Sequence, residues 1–406
     1  NQKKVLSLVL CVAMLLSVMV MGTGAASFTD QDEFSDNYAE AAEVLTGMGI
    51  IQGYDDGSFL PQRNINRAQV ATMIYRAATG DVTDSKISQF VGEDLFDDVN
   101  ADDWFAGYVN YCGNAEYIKG FTPDTFGPYK QVTGYQVLAM ILRAVGYDEN
   151  DEYTGDQWTL RVAATAREQG LLDNLNPDTN LAEPATRELV AQLIFEAIQI
   201  DTVRYSPAAG AYRPSTTPAS SLGEQVFDLA VVNDNDVWGR PATIWYAESS
   251  TYWNGAVKND GYQSDKDDLY ATIEEEALAT YTTAVKICDV ADDLGIAEET
   301  FTTYTNGEVN EDTVKIDADA TTDTIGAQGR LTEVYEDTIV YIDTFLARVD
   351  KVTEVKYDAD GHVAKDASLT LGVYANNGTN HNDAQSVTLK DDTNYTYAEG
   401  DMLLVN

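Results

Sequence analysis

The chain repeats itself, and this limits its fold more than any other feature. A shift of 67 residues lays IQGYDDGSFLPQRNINRAQVATMIYRA (51–77) on IKGFTPDTFGPYKQVTGYQVLAMILRA (118–144) without a gap. Ile51, Gly53, Phe59, Pro61, Gln69, Val70, Met73, Ile74, Arg76 and Ala77 recur as Ile118, Gly120, Phe126, Pro128, Gln136, Val137, Met140, Ile141, Arg143 and Ala144. A further shift of 53 carries VTGYQVLAMILRA (132–144) onto ATRELVAQLIFEA (185–197), with Trp104 falling near Trp158. The third copy keeps its helices, but its loop has decayed to LLDNLNPDTNL. Units this short cannot bury an apolar face alone, so three copies are expected to share one core.

Each copy reads as helix, loop, helix. Tyr38, Ala41, Ala42, Leu45 and Met48 recur at spacings of three and four, which gives one apolar face, and the GMG at 47–49 ends that helix. The second helix opens on Asn66 with Gln69 three residues on, or on Thr133 with Gln136, the pairing of an N-cap with a side chain that returns its hydrogen bond. The buried stripe is then Val70, Met73, Ile74 and Ala77, or Val137, Met140, Ile141 and Ala144. The loop GYDDGSFLP (53–61) admits three readings from its residues alone: a calcium loop, a sugar-binding loop or a turn. Its glycine, aromatics and proline recur in the second copy, whereas Asp55, Asp56 and Gly57 become Thr122, Pro123 and Asp124. The recurring part is therefore scaffold, and the carboxylates are the variable part.

Charge excludes some partners. With 67 Asp and Glu against 25 Lys and Arg, the formal net charge is −42. Such a surface repels phosphate backbones and anionic headgroups, so no nucleic-acid partner is expected. Lys3 and Lys4, an apolar run and the small residues TGAAS form a secretory leader over 1–26, cleaved after Ala26. The competing reading is a retained anchor, since Val5–Met21 approaches the minimum membrane-spanning length. We favour cleavage, so that the membrane is met only through the transient leader. Cys11 lies inside the apolar run after Leu10, not after a small residue, and is not read as a lipidation site. Cys112 and Cys288 fall in different regions and form neither a disulfide framework nor a zinc spacing.

The order of a Phe-x-Asp start (Phe28, Phe96), an aromatic-led helix, GIIQGYDDGSFLP and then INRAQ opening a second helix resembles the S-layer homology domain. The resemblance covers roughly 28–200. It implies three tandem copies in a pseudo-threefold all-α bundle that holds an exported protein on the bacterial cell wall. The ligand it implies is a secondary wall polysaccharide or peptidoglycan-linked glycan, often pyruvylated, bound in grooves between repeats. The family's Thr-Arg-Ala-Glu motif maps onto Asn66-Arg67-Ala68-Gln69, Thr133-Gly134-Tyr135-Gln136 and Thr186-Arg187-Glu188-Leu189. The resemblance thus implies polysaccharide-binding roles for Asn66, Arg67, Gln69, Thr133, Gln136, Thr186 and Arg187. Gly134 cannot supply the motif guanidinium, so at most two grooves keep one. A guanidinium in a helix's first turn, beside free backbone N–H groups, suits a carboxylate-bearing sugar. The competing expectation for Arg67 and Arg187 is two solvated surface residues. Arg76 and Arg143 are read as structural.

Beyond the repeats the text changes. RYSPAAGAYRPSTTPASSL (204–222) reads as a linker or a long extended connection, and 223–406 as one or two mainly β domains. PATIWYA, SLTLGVYA, DMLLVN and the period-two TIVYIDTFLARVDKVTEVKYDADGHV are strand candidates, with a hairpin turn at 358–361, and a helix is expected within 270–295. The chain begins with Asn and stops inside an apparent strand, so a fragment truncated at its C-terminus is expected. His362 and His381 lie in turn-like text, and no Gly-x-Ser-x-Gly elbow, phosphate loop or His-Glu-x-x-His helix occurs. No catalytic residue or cofactor is assigned. Calcium on the β half is left open without ligands, because DNDVWG (234–239) puts Trp238 where a third oxygen ligand belongs.

The reading is a multidomain chain: leader 1–26, helical repeats 28–80, 96–147 and 152–200, linker 204–222, β region 223–406. It is expected to be a secreted, non-enzymatic cell-surface protein, anchored by its repeats, whose β region serves as a surface-array or adhesion module and self-associates. The alternative is a wall-anchored enzyme whose catalytic part lies in 223–406 or beyond.

Overall fold

The computed structural model describes residues 28–35, 38–54, 56–93, 95–248, 252–253, 256–257, 269–357, 363–365, 367–374, 385–391 and 395–405. The leader, the turn at 358–361, His362 and His381 lie outside these residues.

Three helix pairs occupy the first half: α1 (Ala39–Gly47) with α2 (Arg67–Thr79), α3 (Ala106–Asn114) with α4 (Gly134–Val145), and α5 (Trp158–Glu168) with α6 (Arg187–Gln199). The apolar stripes face one shared core that includes Leu45, Val70, Ile74, Val137, Ile141, Val190 and Ile194. Ala144, at the end of its stripe, is half-buried. The segments just before α2, α4 and α6 meet in a closed ring. Ile65 N–H donates to the Ala185 carbonyl (3.1 Å), Ala185 N–H to that of Val132 (2.8 Å), and Val132 N–H to that of Ile65 (3.3 Å). Each repeat therefore completes the hydrogen bonding of the other two.

The stretch 204–222, expected as a linker, folds instead. Val203–Ser206 and Ala211–Pro214 form an antiparallel hairpin. Tyr212 packs on Tyr147 with ring centroids 4.9 Å apart and donates its hydroxyl to Glu152 (2.8 Å). Two tyrosines in a Pro/Ser/Thr background hold the segment on the repeats, a signal that the composition of the stretch hides.

The β region begins with an antiparallel sheet of Leu229–Asn235, Pro241–Ala247 and Leu269–Glu274. This sheet shares its core with the helices: Trp245 and Ala271 belong to the same apolar cluster as α1 and α6. The Trp245 ring meets Phe195 edge-on at 5.0 Å, and its Nε1–H donates to Glu40 (2.9 Å). Gly47 permits the docking, because a Cβ there would overlap the Tyr270 carbonyl oxygen. A buried Arg240 pairs with Glu274 of this sheet (3.1 Å) and ties it to the next through Glu333 (2.7 Å). That next sheet centres on Glu298–Thr305 and Thr338–Asp343, a parallel pair flanked by antiparallel neighbours. A four-stranded antiparallel sheet follows, ordered Gln385–Asp391, Ala367–Val373, Phe345–Thr353, Met402–Val405. The helix expected within 270–295 is confined to Ile287–Leu294, and Leu269–Glu274 and Ala279–Tyr281 are strands. The alternating Thr and Tyr there outweigh the run of glutamates.

The helix–sheet junction is acidic. Burial pushes the Glu43 carboxyl up to about 7, helped by the charges of Glu40 and Glu274 and opposed by the hydrogen bond from Gln31. A carboxyl raised in the folded state costs stability above its folded pKa and recovers it as pH falls towards the unfolded value. We therefore expect Glu43→Gln to be more stable than wild type at pH 8, by up to about 2 kcal/mol, with the gap shrinking at pH 5. Thermal unfolding of both proteins at the two pH values checks this; an equal gap at both contradicts it.

Candidate functional site

The Phe-x-Asp start and the loop form one unit in each of the first two repeats. Asp30 accepts hydrogen bonds from the N–H groups of Phe59 (2.8 Å) and Leu60 (2.7 Å), and Asp98 accepts from Phe126 and Gly127 (2.7 Å each). The carboxylate at the start of the repeat thus clamps the end of the loop. This puts Phe59 and Phe126 fully into the core and leaves Tyr54 and Phe121 on the rim. Of the loop's own carboxylates, Asp56 accepts from Ser58 N–H and Oγ and is used up in the turn. Gly120 is required by close approach, since a Cβ there would overlap the Thr122 carbonyl oxygen.

The motif arginine of one repeat inserts into the loop of the next. Arg67 donates from Nε to the Phe126 carbonyl (2.9 Å) and from Nη2 to the Lys119 carbonyl (2.7 Å), with its guanidinium 4.5 Å from the Phe126 ring centre and 4.6 Å from that of Phe121. Arg187 repeats this against repeat 1. Its Nη2 donates to the Gln52 carbonyl, and its guanidinium lies 4.6 Å from Phe59 and 5.2 Å from Tyr54. The Nε of Arg187 is buried with no partner. Neither arginine is the solvated side chain of the competing expectation: Arg67 is 4 % exposed and Arg187 7 %. Burial pulls the Arg67 guanidinium down to about 10, with the charge of Arg143 adding to the effect, so it remains a cation at neutral pH. Burial lowers Arg187 too.

The first-turn backbone N–H groups, expected to be free, are occupied. Arg67 and Ala68 donate to the carbonyls of Lys130 and Pro128 (3.0 Å each), and Arg187 and Glu188 to those of Arg63 (2.9 Å) and Pro61 (3.1 Å). They fasten one repeat to the next and are not available to a ligand. Asn66 with Gln69, and Thr133 with Gln136, form complete capping boxes, and Thr186 Oγ1 accepts from Leu189 N–H (3.3 Å). These five side chains therefore serve the helix starts. Arg76 and Arg143 pair with Asp84 and Asp148, each at a closest distance below 3 Å.

Two exposed cations missed in the sequence stand beside the arginines. Lys130 places its ammonium 4.1 Å from the Phe121 ring centre, and Arg63 lies over Tyr54 at 6.0 Å. They occupy the same place in the two copies, a correspondence already present in the 67-residue shift. In the third groove Gly134 faces Leu181: a Cβ on Gly134 would stand 2.7 Å from its Cδ2 and 3.0 Å from its Cα. Glu183 follows there where Lys130 and Arg63 stand in the others.

The family profile described as the S-layer homology domain matches residues 27–71 and 95–137. These two segments are S-layer homology domains. The third helix pair lies outside the match. The chain is 30 % identical over 201 residues to the middle cell wall protein of Brevibacillus brevis, covering 49 % of this chain and 18 % of that one. It is 36 % identical over 146 residues to a surface layer protein of Brevibacillus choshinensis, covering 36 % and 13 %. A match at 26 % identity to an amylopullulanase of Thermoanaerobacterium thermosulfurigenes covers 41 % and 9 %. The chain thus spans less than a fifth of the length of these relatives. With its S-layer homology domains, it is a cell-surface protein. Among the described residues no helix is long and apolar enough to cross a membrane.

The buried arginines hold the fold as well as lining the grooves. Arg67→Ala leaves two carbonyls without donors and empties an aromatic cage, at an expected cost of about 2–4 kcal/mol. Chemical denaturation checks this, and a change below about 0.5 kcal/mol would mean that Arg67 behaves as a surface residue.

Proposed function

We propose that the chain is held non-covalently on the bacterial cell wall by its helical repeats, which bind an anionic secondary wall polysaccharide in the grooves between them, while the β region projects as a surface-array or adhesion module. The observation that carries this is the repeated constellation of a buried arginine, an aromatic pair and an exposed cation, built twice at equivalent positions. In a chain of net charge −42, these paired cations are local exceptions that favour an acidic sugar over the rest of the surface. A pseudo-threefold arrangement of the helix pairs is part of this reading, and the closed ring through Ile65, Val132 and Ala185 supports it. Arg67 and Arg187 set the field from inside each groove; Lys130 and Arg63 meet the ligand at its mouth. Asn66, Thr133, Thr186, Gln69 and Gln136 act through the helix starts they cap. Similarity to surface-layer and cell-wall proteins supports the anchoring role. The similarity to an amylopullulanase supports a second reading, a wall-anchored enzyme, which hydrolysis of an α-glucan by the full chain would establish.

The test is a pull-down of the full chain on purified cell walls before and after their polysaccharide is stripped. Binding is expected to vanish on stripping, and binding that persists would sink the mechanism. Because Lys130 and Arg63 are exposed, the double variant Arg63→Ala, Lys130→Ala is expected to keep its unfolding temperature while binding more weakly and with a smaller salt dependence.

A further inference from the structure

The two cationic grooves are not equivalent. In the groove where Arg187 meets repeat 1, the corner beside the arginine is closed by a buried carboxylate. Glu188 accepts from Ser35 N–H (2.9 Å), Ser35 Oγ (2.7 Å) and Gln62 Nε2 (2.9 Å). In the groove where Arg67 meets repeat 2, Ala68 stands where Glu188 does, and Tyr129 where Gln62 does. The 67-residue shift aligns Trp104 with Asn37 of repeat 1 in the sequence. That corner therefore has a methyl group where the other has the Glu188 carboxylate and Asp102 where it has Ser35, and two large aromatic side chains stand on the segments that flank it.

Both aromatics are exposed, Trp104 to 58 % and Tyr129 to 69 %. They are anchored rather than loose. Each ring stands almost perpendicular to the fully buried Phe105 ring, with centroids 5.4 Å away in both cases. Tyr129 also sits between two residues that fasten the first turn of α2: Pro128 and Lys130 give their carbonyls to the N–H groups of Ala68 and Arg67 (3.0 Å each). Keeping two such rings in water is unfavourable unless something covers them, and their anchoring removes most of the entropy cost of presenting them.

We infer that Trp104 and Tyr129 form a stacking subsite for an uncharged pyranose ring of the wall polysaccharide, adjoining the charged site made by Arg67 and Lys130. The inference rests on the anchoring reading above and extends it. An aromatic face carries a negative quadrupole that attracts the weakly positive C–H face of a sugar, and the neighbouring cations fix the sugar next in line by its acidic group. A stacked peptide is the weaker occupant: on the anchoring reading the wall glycan meets this groove at Lys130, the residue next to Tyr129, so the aromatic corner would continue the same binding surface.

The experiment is calorimetric titration of the full chain with polysaccharide released from purified walls of the producing bacterium. The double variant Trp104→Asn, Tyr129→Gln installs the residues that repeat 1 carries at the equivalent positions, and its unfolding temperature checks that the fold survives. We expect the variant to unfold as wild type does and to bind the polysaccharide about tenfold more weakly, with an unchanged salt dependence. The restoring variant Trp104→Phe, Tyr129→Phe should regain most of the affinity, since stacking needs a ring and not a hydroxyl. A wild-type chain that fails to bind at all overturns the anchoring reading and this inference with it. A wild type that binds while the Asn/Gln variant binds equally well overturns the inference alone.

Discussion

Three hydrogen bonds at the centre of the helical region carry the rest of the architecture. Ile65, Val132 and Ala185 precede the second helix of their repeats, and each exchanges backbone bonds with the other two. A buried peptide group without a partner costs about 1–3 kcal/mol, so removing any one repeat would orphan groups in both of the others. The ring also fixes where each second helix begins. That position decides which loop its first-turn N–H groups and its arginine reach, so the ring and the grooves share one geometry.

The arginines show how a strongly acidic chain can hold a buried cation. Arg67 gives up hydration and recovers it from two carbonyl oxygens and two aromatic faces, partners that neutralise no charge. The Asp98 carboxylate acts on it through charge, while its own hydrogen bonds go to the N–H groups of Phe126 and Gly127. Arg76, Arg143 and Arg240 take the opposite course and end on Asp84, on Asp148, and on Glu333 and Glu274. The contrast separates arginines that stabilise from those that also present charge.

Much of the helical half was legible because its pattern repeats. Val70, Met73, Ile74 and Ala77 are buried as their spacing requires, and the capping boxes at Asn66 and Thr133 form from the residues that announced them. The environment of the arginines was not legible, because the loop that encloses Arg67 lies more than 50 residues further along the chain. The role of Asp30 and Asp98 escaped notice for the same reason: a carboxylate that clamps a loop some 30 residues away looks like any other acid in a chain with 67 of them. In the β half, PATIWYA forms a strand and SLTLGVYA and DMLLVN contribute to the strands Ala367–Val373 and Met402–Val405, but Thr338–Asp343 is buried along almost its whole length where alternation was expected. It lies between two neighbours in the sheet with both faces covered, a consequence of tertiary packing. The docking of Trp245 on the helices likewise joins two regions that composition divides at the hairpin, so the first sheet shares the core of the repeats.

The most direct test of the account is a crystal structure of the full chain soaked with polysaccharide released from the wall. The account predicts ordered sugar between repeats 1 and 2, with an acidic group facing Lys130 and Arg67 and a neighbouring ring against Trp104 and Tyr129. Ordered sugar only in the groove between Gly134 and Leu181, or only on the β sheets, would contradict it.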